Sequence, residues 1–282
     1  MIQSAIKTLS LERLNRIKNY IILLLITAFF LLPLYVLLVT SLKSFAEVNI
    51  NDMWSLPKTF SLSSFVKAMQ KLGPNLANSF LLTIPATAIS CLLGSFNGYI
   101  FSKWKFRGSD TIFVLMLFGM FIPYQSVLIP LVQFLNKIGM YGHIGGLIFT
   151  HVIYGLPITT LMFRNYYAEI SDQIVEAAQI DGLPIMGIYW KIIFPLSLPA
   201  FVVVIIWQFT NVWNEFLFAI TITPNPSQQP ITVALQNLAG SQIVEWNVQM
   251  AGALVAALPT LIIYILVGKY FIRGLMTGSV KG

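Results

Sequence analysis

The stretch WQFTNVWNEFLF, residues 207–218, carries Gln208, Asn211 and Glu215 at separations of three and four residues. On a helix that spacing predicts two amides and a carboxylate on one face. Trp207 and Asn214 flank the face, four residues before and three after Asn211. Amides and a carboxylate suit hydroxyl groups, and tryptophan faces suit sugar rings, so one reading is the polar wall of a solute pathway. The other is a buried hydrogen bond that braces a bundle, and for Glu215 both stand open. Gln125, close to Pro123, is assigned to the same candidate pathway. Cys91 is a lone cysteine inside an apolar run, which rules out an intramolecular disulfide. His143 and His151 are not clustered with carboxylates in sequence, and no metal-site spacing occurs. Neither a catalytic residue, a metal site nor a cofactor site is expected.

The elements that position these residues follow from composition. Of 282 residues, 57% are hydrophobic and only 10% charged; the mean hydropathy is +0.78. A soluble globular chain carries about a quarter charged residues, and this one could not cover a water-facing surface. The class is all-α, polytopic membrane protein. The net charge of +7 does not point to nucleic acid, because membrane proteins concentrate Lys and Arg in cytoplasmic loops.

A bilayer core takes about 20 apolar residues as helix. Six segments qualify, at about 20–39, 78–101, 111–135, 143–163, 198–222 and 248–270. The first is too long for a signal-peptide core and reads as a retained span. With the N-terminus inside, 12 of the 17 Lys and Arg residues fall on the cytoplasmic side and five outside. That bias predicts both termini in the cytoplasm. One transmembrane domain over 1–282 is expected, with long external loops at 41–74 and from about 223, and no internal repeat. Gly94 and Gly98 sit four apart in the second span, where close helix packing is the expected use. Pro123, Pro130, Pro157 and Pro259 fall within spans. Broken backbone at membrane depth is tolerated against protein or a water-filled cavity, and several breaks near one depth favour a cavity.

The loop at about 164–197 lies between the fourth and fifth spans, on the cytoplasmic side in this topology. Ser171 can cap a helix through DQIVEAAQID, with Asp172 and Glu176 toward its positive end. Gly182 suits a left-handed terminating turn, and Pro184 suits the start of the next helix. Ala177 and Ala178 make one side thin, so the helix could fit a groove on a partner protein. A solvated connector would not need the small side chains.

EAAQIDGLPIMGIYWKIIFP, residues 176–195, resembles the EAA motif of bacterial ABC-importer permeases. That motif is Glu-Ala-Ala, then Gly after three residues, Ile after nine more, one residue, and Leu-Pro. Glu176, Ala177, Ala178, Gly182, Ile192 and Pro195 are in register, Asp181 supplies the common Asp-Gly form, and Phe194 replaces the Leu. LLPLYVLLVTSLKS, YIFSKWKFRGSD, MFIPYQSVLIPL, GLPITTLMFRNYYAEI, WNEFLFAITIT and GKYFIRGLMTGSVKG extend the likeness over nearly the whole chain. Together they resemble the shorter, six-span subunit of the maltose-type carbohydrate-uptake permeases.

The resemblance implies half of a translocation pathway for a sugar or polyol in the plasma (inner) membrane. It implies a second permease subunit, two cytoplasmic ATPase subunits and an extracytoplasmic solute-binding protein as partners, within membrane lipid. Glu176, Ala177, Ala178, Asp181 and Gly182 would form a coupling helix seated on one ATPase. ATP and Mg would bind that ATPase. The chain itself lacks a phosphate loop, since GKY at 268–270 has neither the upstream glycine nor the following Ser or Thr. A permease for a non-sugar solute and a secondary transporter are the alternatives, the latter calling for paired repeats. A membrane-embedded enzyme would need a nucleophile–base or metal constellation, for which one glutamate is thin support.

Overall fold

The structure is a computed structural model. It describes the backbone of residues 2–240 and 244–277 and the side chains of 13, 15–240 and 244–266. Lys281, counted above with the cytoplasmic basic residues, and both chain ends lie outside the described residues. All regular structure among the described residues is helical. The helices are α1 (Ile2–Ser41), α2 (Ser63–Lys103), α3 (Ser109–Phe118), α4 (Tyr124–Lys137), α5 (Ile144–Ala168) and α6 (Asp172–Ile180). After them come α7 (Ile185–Leu196), α8 (Leu198–Asn214), α9 (Leu217–Ile222), α10 (Ile231–Ala239) and α11 (Trp246–Thr277). Four of them are long and apolar enough to cross a membrane, or up to six spans exist if each of two bent pairs counts as one. The chain is an all-α membrane protein.

Chain packing defines two units, residues 1–70 with 241–255 and residues 71–240 with 256–282. In the smaller, α1 turns its apolar residues 15–38 outward, and none of its most apolar window is covered by the chain. Burial begins at Val39, Thr40 and Ser41. Lys43 is buried with its ammonium on Asp52 O (2.7 Å), while its carbonyl accepts from Asn247 Nδ2 at 3.2 Å. Glu47 closes the loop beyond, accepting from Ser44 Oγ, Lys58 N and Thr59 Oγ1. Those bonds, Thr59 first, hold its carboxyl below the usual range.

In the larger unit α5 packs against α8 and α3, and the α2–α5 contact depends on two glycines of α2. A Cβ at Gly98 would lie 2.7 Å from Arg164 N and 2.8 Å from Phe163 Cβ, and one at Gly94 would overlap Thr159. The close-packing use expected for the two glycines is the one the structure shows. One cluster gathers Tyr99, Phe163, Tyr167, Ile188, Tyr189 and Phe201; a second gathers Leu82, Leu135, Leu147, Val212, Phe218 and Ile222.

The prolines divide into two kinds. Pro130, Pro157 and Pro259 lie inside helices that continue through them. Pro123 coincides with a real break, because a residue before proline is pushed out of the helical region. Ile122 has φ −73° and ψ 120°, and α3 and α4 meet at 100°. The run 111–135 is therefore not one straight rod. A second bend, 79°, separates α7 from α8 at Ser197, just before Pro199.

Candidate functional site

The polar residues of 207–218 are built around a helix break that periodicity did not anticipate. α8 ends at Asn214, and Glu215 is extended (φ −68°, ψ 136°). The single face expected for Gln208, Asn211 and Glu215 therefore holds only as far as Asn211. Past the break Glu215 turns its carboxylate onto the first turn of α9, accepting from Phe218 N at 2.6 Å and Ala219 N at 3.1 Å. Both oxygens serve the otherwise unpaired amides of a new helix, where negative charge is also favoured. Thr232 Oγ1 donates to Glu215 O at 3.0 Å and fixes the residue from α10.

A cavity of about 450 Å³ lies beside this break. Trp207, Gln208, Asn211 and Glu215 all line it, with Asn214. Gln125 does not; its neighbour Tyr124 does, at the start of α4, while Gln125 points to the exterior. From α5 come His151, Tyr154 and Gly155. A Cβ at Gly155 would overlap the Gln208 amide, so the glycine is what lets that amide lie against α5 in this position. Gln208 is buried, and its Nε2 donates to Ser90 Oγ (3.3 Å) and His151 O (3.5 Å).

His151 is the member sequence reasoning set aside. It lies 64 positions from Glu215 in the chain, yet its Nε2 stands 3.6 Å from Glu215 Oε2. The ring is 6% exposed and Nε2 has no hydrogen-bond partner among the described residues. The expectation that no histidine meets a carboxylate is corrected: the break in one helix carries Glu215 to a residue of another. No group of three or more metal-ligating side chains occurs among the described residues.

The second set of singled-out residues lies on α6 and its turn. Ser171 stands at the N-cap position, but its side chain makes no capping bond. The first turn is held instead by Lys103, whose ammonium donates to Ile170 O at 2.5 Å and Asp172 Oδ1 at 2.6 Å. The Lys103 side chain is 3% exposed, so the end of α2 grips the start of α6. Hydrogen bonding from Lys103, then its charge, holds the Asp172 carboxyl below its usual range. At the other end Gly182 has φ +79°, with Gly182 N on Gln179 O (2.9 Å) and Leu183 N on Ala178 O (3.0 Å). That pair of bonds is a Schellman ending, for which glycine is preferred.

The two alanines part company. Ala177 is exposed, with Glu176, Asp181 and Gly182. Ala178 is 3% exposed and packs with Val175 into the cluster of Tyr99, Tyr167 and Tyr189. The thin side thus lets α6 seat on its own chain at Ala178 and leaves Ala177 outward.

Residues 90–275 match the model of the family described as "Binding-protein-dependent transport system inner membrane component". The chain belongs to this family. Both α6 and every residue of the cavity lie within the matched segment of this inner-membrane component. A probable ABC transporter permease protein of Pyrococcus horikoshii is 46% identical over 271 residues, covering 95% of this chain and 98% of that one. The xylose/arabinose import permease protein XacI of Haloferax volcanii is 34% identical over 287 residues, covering 94% and 93%. The glucose import system permease protein GlcU of Saccharolobus solfataricus is 30% identical over 273 residues, covering 94% and 95%. Among solved structures, a bacterial ABC transporter involved in the import of the acidic polysaccharide alginate gives a TM-score of 0.81 at 22% identity. The match covers 92% of this chain and 97% of that one. The last likeness establishes the fold of this inner-membrane component.

Proposed function

We propose that this inner-membrane component is one of two permeases of an ATP-driven sugar importer. In this reading an external binding protein delivers the sugar and two cytoplasmic ATPases, which hold ATP and Mg, drive its passage. Both termini and α6 face the cytoplasm. The relatives named for xylose, arabinose and glucose import support the sugar class.

The observation that carries the coupling role is the division of α6. Its inward edge, Val175 and Ala178, is fixed to the chain; its outward edge offers Glu176, Ala177 and Asp181, with no side chain bulkier than a methyl at 177. A helix gripped by Lys103 at its start and packed through Val175 and Ala178 into the cluster of Tyr99 on α2 and Tyr167 on α5 moves with those helices. Displacement of an ATPase bound to the outward edge therefore reaches the spans. The cavity at the α8–α9 break is the part of the solute pathway that this chain supplies.

Ala177→Trp tests the reading. The chain should insert and fold, because residue 177 faces outward, while the ATPase should fail to co-purify and uptake should fall. Normal co-purification and uptake in that variant would remove the docking role. Ala178→Trp is not the equivalent test, since it would overfill the chain's own core.

A further inference from the structure

We infer that the cavity at the α8–α9 break is a binding site that selects uncharged, hydroxyl-rich rings and rejects their carboxylated counterparts. The inference rests on the sugar-permease reading and adds to it a site and a charge rule.

The site is built. Its volume of about 450 Å³ falls within the range of small-molecule sites, about 300–1,000 Å³. Trp207, Tyr124 and Tyr154 supply ring faces and phenolic hydroxyls. Asn211 and Asn214 each donate one N–H to the α8 backbone, at 2.8 and 2.9 Å, which holds their amides at the cavity edge. At the base stands His151, more than nine-tenths buried, with an Nε2 that no described residue satisfies. A buried polar atom without a partner is uncommon and calls for a ligand or water. A ring hydroxyl can both donate and accept, so it can complete this nitrogen in either protonation state.

The charge rule follows from what lines the cavity. It is free of Lys and Arg among the described residues, and its ionisable groups besides the two tyrosines are Glu215 and His151. With His151 neutral the cavity carries the Glu215 charge; with His151 protonated the pair cancels. In neither state does this chain bring a surplus cation to the cavity, so a carboxylated sugar would be desolvated opposite Glu215 with no compensating charge from this lining. Fold similarity to the alginate importer therefore does not carry an acidic substrate to this chain.

The test uses the whole complex, both permeases with their ATPases, in nanodiscs without binding protein. Saturation-transfer NMR is recorded with xylose, arabinose, glucose, cellobiose and maltotriose, and with glucuronate and galacturonate. At least one neutral sugar should bind, and neither uronate should. Trp207→Ala should weaken that sugar about three- to tenfold through loss of the ring face. Asn214→Lys leaves the Glu215 cap intact and adds a cation at the rim; it should shift the ratio of glucuronate to glucose affinity upward by about tenfold. Binding of no neutral sugar, equal binding of uronates by the unmodified complex, or indifference to Trp207→Ala would each overturn the inference. Uptake of the same panel by cells carrying the complete system separates the two levels. A neutral sugar taken up but not bound at this site defeats the inference alone; uptake of no sugar defeats the permease reading beneath it.

Discussion

Replacing Glu215 by leucine removes the cap of α9, and the structure sets the cost. Two backbone amides, Phe218 N and Ala219 N, lose a charged acceptor. Hydrogen bonds to charged groups contribute about 1.5–3 kcal/mol each, and losing a helix cap costs about 1–2 kcal/mol. Phe218 and Ala219 are 5% and 0% exposed, so those amides rely on the carboxylate and not on bulk water in the native chain. Against this, a carboxylate within a span costs about 2.5–3.5 kcal/mol on insertion scales. That figure applies to an acid without partners, whereas Glu215 has two amide donors and His151 nearby. The net effect expected is a loss of about 1–3 kcal/mol, and not the neutral assembly that removal of an isolated acid would give. For a chain of 282 residues that lowers the midpoint of thermal unfolding by about 2–5 °C. Glu215→Gln keeps one oxygen and one of the two bonds, and should lose about half as much. Thermal unfolding of the complex in nanodiscs reads the midpoint, and hydrogen exchange of 216–222 reads the cap directly. An unshifted midpoint together with unchanged protection at 218 and 219 in Glu215→Leu would refute the capping role.

Two further outcomes follow from the packing of α2. Gly98→Ala places a methyl 2.7 Å from Arg164 N and 2.8 Å from Phe163 Cβ, so α2 and α5 must separate at a cost of about 1–3 kcal/mol, read as a lowered midpoint of thermal unfolding. The Lys103–Asp172 contact should depend on pH in one direction. The folded Asp172 carboxyl titrates below its ordinary value of 3.8, so its stabilisation is fully present above that value and is lost as pH falls through the folded one. Protection factors for 170–175 should drop across that window in the native chain. In Lys103→Met they should be low at neutral pH already.

The features legible in the sequence are those whose cause is local. The end of α6 could be placed because Gly182 alone among its neighbours accepts a φ of +79°, and apolar runs mark spans wherever the helix is unbroken. The inward turn of Ala178 was within reach, since Val175 stands three residues earlier and both are buried on one stripe. Lys103 was not within reach: nothing near it in sequence indicates that its ammonium meets Asp172, 69 positions on. The same holds for His151. Its neighbours Val152 and Tyr154 say nothing of acid, and its partner arrives from α8 only after the helix has stopped.

The misreading of Glu215 has a physical source. A period of 3.6 presumes that the backbone continues as helix, and a polar residue inside an apolar run is then read by the face it occupies. Stopping a helix at membrane depth, however, exposes amides that no lipid can satisfy. A residue able to accept two hydrogen bonds must stand at the break, and an ionised carboxylate accepts at both oxygens. An acid adjoining an amide residue inside an apolar run, as in Asn214–Glu215, is therefore a sign of an interrupted helix to set beside proline. In this chain proline alone does not separate the cases: the helix breaks before Pro123 but α4, α5 and α11 run through Pro130, Pro157 and Pro259, while α8 stops at Asn214 with no proline nearby. The break turns Glu215 off the α8 face, opens the cavity next to Trp207 and Asn211, and brings the carboxylate to His151. The carboxylate that caps α9 also lines the cavity proposed as part of the solute pathway, so the two alternatives the sequence left open for Glu215, bracing and pathway, do not exclude each other.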